Sequence, residues 1–243
     1  MEKLKKTPLS RILSLLLAIC IAAGFVPLID YSAFAVDSET TIGVLEDNTP
    51  RSGNGWKWDG STLTLYGTEL KSKDDSTPKI SYSGETLTIN VKGYNRVSGD
   101  SLLAKVGAWE KIDITGSGIL ESDSTSALFS GLEVIVDGAL IKAPNAKLFD
   151  DAARVNLTYN SGYLEIGMLN ASVTMNGGVI NCTTLLSSGN IKQNGGVFYV
   201  DILSAGKPIN CGNSAIFKVN TIPAGADYSI TCNKGSIVMV GES

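Results

Sequence analysis

The side chains with chemistry to offer in this chain are carboxylates, aromatic rings and thiols, because histidine is absent from all 243 residues. That absence removes the commonest general base and the commonest transition-metal ligand, and with them Ser–His and Cys–His catalysis and a His-ligated zinc. Calcium-assisted chemistry would need clustered carboxylates supplying six or more oxygens, with an Arg or Lys as base. Asp150-Asp151 with Arg154 is the densest acidic cluster, but consecutive residues cannot all face one way, so it reads as an exposed turn. Asp74-Asp75, beside Lys71 and Lys73, reads as a solvated loop. No catalytic residue is assigned and no metal ligand is identified; calcium remains open as a cofactor. Aromatic rings can stack on apolar faces of a ligand, and the candidates are Tyr94, Trp109, Tyr159, Tyr163 and Tyr199. Trp109-Glu110, in a turn region before a strand, makes a reasonable binding pair, and the alternative is that these rings shield strand edges.

The elements that must position these groups are short strands. No segment after residue 35 shows apolar residues at helical spacing over three turns; alternating runs followed by Gly or Asn dominate. One unit, apolar-x-apolar-x-Gly, recurs as Leu63–Gly67, Ile89–Gly93, Ile112–Gly116, Val134–Gly138, Val173–Gly177 and Ile191–Gly195, with looser copies at Val155, Ile209 and Ile230. The copies start 18 to 26 residues apart. A second apolar pair follows most turns, as at Ile119-Leu120, Leu140-Ile141, Val179-Ile180, Val197-Phe198 and Ile237-Val238.

Strands of three to five residues do not make a stable sheet alone. Coils of about 20 residues can stack at ~4.8 Å, each satisfying the backbone groups of the next. The expected fold is therefore all-β, a right-handed parallel β-helix of about nine coils. Alternation sends Leu65, Val91, Ile114, Val136, Leu157, Met175, Gln193, Cys211 and Cys232 inward as one column. It puts Gly67, Gly93, Gly116, Gly138, Gly177 and Gly195 on one corner with positive φ. Asn176, Asn194 and Asn233, with Asp137, are placed to form a side-chain ladder before that corner. Asp113 is expected between Asn90 and Ile135, without a second charge in its column. Tyr159 takes the glycine slot of its coil, where a side chain must project. Cys211 and Cys232 share a slot in adjacent coils, near enough for a disulfide or a stack of two thiols.

The N-terminus reads as a secretory signal peptide: Lys3, Lys5, Lys6 and Arg11, an apolar run from Ile12 to Val26, and Ala33-Phe34-Ala35 as the cleavage pattern. Residues 36–52 are a linker or N-terminal extension, with Thr40–Val44 as a candidate irregular strand, and 53–243 form the β-helix domain. Cleavage after Ala35 leaves 16 Lys+Arg against 22 Asp+Glu, a formal charge of −6. This argues against nucleic acid and anionic membrane as partners and for a secreted, extracellular product. The three cysteines remaining after cleavage are no disulfide framework.

Two segments carry a family likeness. Gly53–Leu65 (GNGWKWDGSTLTL) resembles an opening common in secreted and surface proteins of clostridia and their relatives, and Ile112–Leu120 (IDITGSGIL) looks like a rung of the same proteins. Many of these are carbohydrate-binding-domain proteins, similar in fold to pectate lyases. The resemblance implies binding of polysaccharide or surface glycan, with calcium as a cofactor it allows, and no lyase residue carries over. The alternatives are a structural or adhesive surface spacer and a calcium-dependent polysaccharide lyase. Trp56 and Trp58 alternate and so face one side; they either cap the first coil or form a sugar-stacking platform.

Overall fold

The computed structural model describes residues 39–40, 42–71, 74, 76–107, 110–150, 155–186, 189–204, 208–224 and 228–241. The chain divides into two units, Met1–Ala35 and Val36–Ser243, and all described residues belong to the second. The expected signal peptide and its cleavage point lie outside the described residues, as do Asp75, Trp109, Asp151 and Arg154.

The described residues form strands and turns only, stacked as a parallel β-solenoid of about seven turns. The strands fall into three ladders. The first runs through Thr62–Tyr66, Thr86–Lys92, Lys111–Gly116, the beginnings of Glu133–Phe149 and Asn156–Leu169, Ser172–Met175, the beginnings of Ile191–Leu203 and Ile209–Thr221, and Ile230–Cys232. The second includes Glu69–Lys71, Tyr94–Ser98, Ile119–Ser122, Val179–Leu185 and Ile237–Val240. The third begins with Gly43–Leu45, Ile80–Tyr82, Ala104–Lys105 and Ala127–Ser130. Several strands are long because the chain continues around a corner without leaving the hydrogen-bonded pattern. In this way backbone groups at the corners are also paired with the neighbouring coil.

The inward column is offset from the one expected. Leu63, Ile89, Ile114, Val136, Tyr159, Met175, Gln193, Cys211 and Cys232 stand level, while Val91 is level with Gly116 and Leu157 with Val134. Each discrepancy is two residues. A two-residue slip preserves the side of the sheet, so Val91, Ile114 and Val136 still face the same interior and are all buried. For the same reason Asp113 stands between Thr88 and Ile135, not over Asn90.

The glycine corner also needs correction. Gly67, Gly93, Gly116 and Gly138 have positive φ, but in the later coils the left-handed residue is Gly178 or Gly196, the second of a Gly-Gly pair, rather than Gly177 or Gly195. The first glycine of each pair serves close approach instead. A Cβ on Gly177 would lie 2.9 Å from the carbonyl oxygen of Asn160 one coil away. The amide ladder is Asn160–Asn176–Asn194, with Nδ2-to-Oδ1 distances of 2.8 and 2.7 Å. Asp137 accepts from Ser161 Oγ at 2.6 Å, and Asn233 donates its backbone N–H to Cys211 O.

Trp56–Trp58 pairs antiparallel with Thr62–Tyr66 and covers the exposed edge of the first ladder. Trp58 is fully buried opposite Leu63, its Nε1 donating to Glu46 O at 2.8 Å, and it meets Tyr82 edge-on at 5.6 Å between centroids. The tryptophan pair is thus a cap, which protects an edge that would otherwise template further strand pairing. The segment before it also belongs to the stack: Ile42 and Leu45 are buried and Gly43–Leu45 pairs with Ile80–Tyr82.

Polar side chains inside the stack bridge coils. Asn95 Oδ1 accepts the N–H groups of Gly67 and Thr68, and its Nδ2 donates to Lys92 O and Ile119 O, spanning three turns. Asn170 exchanges two bonds with the backbone of Phe149. Lys79, fully buried, donates through Nζ to Ser101 O, Ser101 Oγ and Gly99 O. Each bridge satisfies backbone groups at a corner where the ladder is interrupted.

Candidate functional site

Inside and outside alternate along each strand, so every consecutive apolar pair on the second face must send one member outward. The inward members, Leu120, Ile141, Leu164, Ile180, Phe198 and Phe217, are buried. The outward members line up in register as Tyr94, Ile119, Leu140, Tyr163, Val179, Val197, Ile216 and Ile237. All but Ile237 are half-buried against one another; Ile237, at the last turn, is exposed. Beside this strip runs a polar column: Glu69, Arg96, Glu121, Lys142, Glu165, Asn181, Tyr199 and Lys218. The result is a flat, semi-apolar surface with tyrosines at intervals and polar groups at its margin.

Contacts within this face are specific. Tyr163 Oη donates to Glu165 Oε2 at 3.4 Å. Burial, and then the Glu165 carboxylate, raise the pKa of that hydroxyl. Burial likewise raises Tyr94, reinforced by the hydrogen-bonded Glu121 carboxylate. Arg96 lies 3.9 Å from Glu69 and 3.3 Å from Asp123, and Glu69 also accepts from Ser98 Oγ at 2.7 Å. Both phenols therefore remain protonated at neutral pH, as neutral rings with an anchored edge.

Three of the tyrosines singled out from sequence, Tyr94, Tyr163 and Tyr199, are thus gathered on one surface. The other site candidates are not. Tyr159, expected to project, occupies the inward slot between Val136 and Met175 and has no exposed surface. Its hydroxyl has no hydrogen-bond partner, and burial lifts its pKa above the ordinary phenol range. It has no ring face to offer a ligand. Glu110 folds its carboxylate back onto the Gly107 N–H at 2.7 Å, closing a turn. Trp109 lies outside the described residues. Cys211 and Cys232 are register partners and both free thiols, the first buried and the second exposed. The outward strip was foreshadowed by its apolar pairs, but only the register shows that their outward members form one line.

Asp113 is a partly desolvated carboxylate on the first ladder. Its Oδ1 is buried without a partner, and its pKa is raised by burial and by Glu133 against the opposing effect of Lys111. Among the described residues, no three Cys, Asp or Glu side chains converge as a metal site would require. No family model, curated protein or solved structure matches this chain.

Proposed function

We propose that this chain is an extracellular carbohydrate-binding module without catalysis, one of the secreted carbohydrate-binding-domain proteins that its Gly53–Leu65 and Ile112–Leu120 segments resemble. The observation that carries the reading is the outward line of Tyr94 and Tyr163, with Tyr199 at its margin, on rigid stacked strands. Sugar rings combine apolar C–H faces with hydroxyl rims. A half-exposed phenol ring beside carboxylates and amides offers partners for both. Strands hold such groups with more positional accuracy than loops do.

A glycan array probed with and without calcium tests this. Saturable binding, lost when Tyr94, Tyr163 and Tyr199 are replaced by Ala in a protein that keeps its far-ultraviolet spectrum, supports the module. Absence of binding to any glycan refutes it and favours a surface spacer, in which the stack only sets distance. Unsaturated sugar products absorbing in the ultraviolet would instead identify a lyase.

A further inference from the structure

From the second face we infer the class of ligand: a linear, uncharged polysaccharide lying parallel to the solenoid axis, in contact with Tyr94, Tyr163 and Tyr199. This rests on the carbohydrate-binding reading above and narrows it.

The linear character follows from spacing. Tyr94 and Tyr163 are three coils apart, and Tyr163 and Tyr199 two. At ~4.8 Å per coil these are separations of about 14 and 10 Å along one direction. A single sugar reaches one ring only; an extended chain along the axis reaches all three. The apolar residues between the tyrosines keep the surface free of side chains that would block such a path.

The lack of charge follows from the polar column. Its signs alternate, Glu69, Arg96, Glu121, Lys142, Glu165, so each charge has opposite neighbours one coil away. The carboxylates are engaged: Glu69 by Ser98 and Arg96, Glu121 by the Tyr94 hydroxyl, Glu165 by that of Tyr163. Arg96 is shared between Glu69 and Asp123, and Lys142 stands in register between Glu121 and Glu165. A polyuronate would need a repeating row of uncompensated cations. Lys218, in register with Tyr199 and Met239, is the one cation of this column without an acidic register neighbour. The −6 formal charge of residues 36–243 further repels polyanions.

The test is affinity electrophoresis of the 36–243 chain in gels containing hydroxyethylcellulose, galactomannan, polygalacturonate or chitosan. Retardation is expected with a neutral polymer, unchanged between about 0.05 and 0.5 M NaCl. Tyr163→Ala should weaken it about tenfold or more, while Lys192→Gln, on the first face, leaves it intact. Retardation by polygalacturonate or chitosan that fades with salt overturns the neutral-ligand inference but leaves carbohydrate binding standing. Neutral-polymer binding that survives Tyr163→Ala overturns the assignment to this face. No retardation in any gel, with none on the glycan array, overturns both.

Discussion

Gln193 occupies the inward slot directly beneath Cys211, with the Cys211 thiol 4.0 Å from its carboxamide oxygen. Its Nε2 donates to Gly196 O and Ile216 O at 3.0 Å each, so the one amide in an otherwise apolar and sulfur-bearing column ties two coils together. Gln193→Leu keeps the volume but leaves those carbonyls without this donor, and should cost about 2 kcal/mol. Met175→Leu, one slot below, should cost less than about 1.5 kcal/mol. Urea titration checks the contrast: the midpoint should fall clearly for Gln193→Leu, with an unchanged slope.

Trp58→Ala removes a fully buried ring and the donor to Glu46 O. A loss of about 3–5 kcal/mol is expected. The uncovered edge of the first ladder should also promote self-association. Light scattering beside the denaturation curve reads both effects; a variant that stays monomeric and equally stable would remove the capping role.

Thiol reactivity should separate the three cysteines of residues 36–243. Burial pushes the Cys211 thiol up to about 11, with a further contribution from neighbouring Cys232, and raises buried Cys182 beyond the ordinary thiol range. The thiolate is the reactive form. Native alkylation near pH 8 should add one group, at exposed Cys232, and alkylation after denaturation three. Two adducts fewer after denaturation without reductant would reveal a Cys211–Cys232 bridge.

Tyr82 should contribute to destabilisation of the fold in alkali, beside the buried Tyr159 and the buried thiols. Its pKa is raised from the usual 10.0 to about 12 by burial and by the Asp47 carboxylate that its hydroxyl contacts. Below pH 10 Tyr82 holds its proton in both the folded and the unfolded state, so it makes no contribution to a change in stability there. Between pH 10 and about 12 the unfolded state loses it first, and stability falls as pH rises. Tyr82→Phe should make that decline shallower, with Tyr159 and the buried thiols supplying what remains, measured as the urea midpoint at pH 9 to 12; an identical decline in the variant would remove the Tyr82 contribution.

Most inward positions were legible in the sequence, because strand alternation has a period of two and the repeats keep it: Ile89, Ile114 and Val136 are buried as expected, whereas Cys232, placed in the same column, is exposed and Tyr159, expected to project, is buried. That Trp56 and Trp58 face one side was legible for the same reason; that they cap the first ladder, and do so by antiparallel pairing, was not. Register was beyond reach. A slip of two residues leaves every side chain on its own side, so the pattern could not tell whether Leu157 or Tyr159 stands over Val136. Only packing between coils decides that, through the volumes filling each layer and the carbonyls approaching Gly116 and Gly177. The candidate surface depended on this step. Tyr159 went to the interior, while Tyr94, Tyr163 and Tyr199, distant in sequence, came onto one face once corners and offsets were fixed in three dimensions.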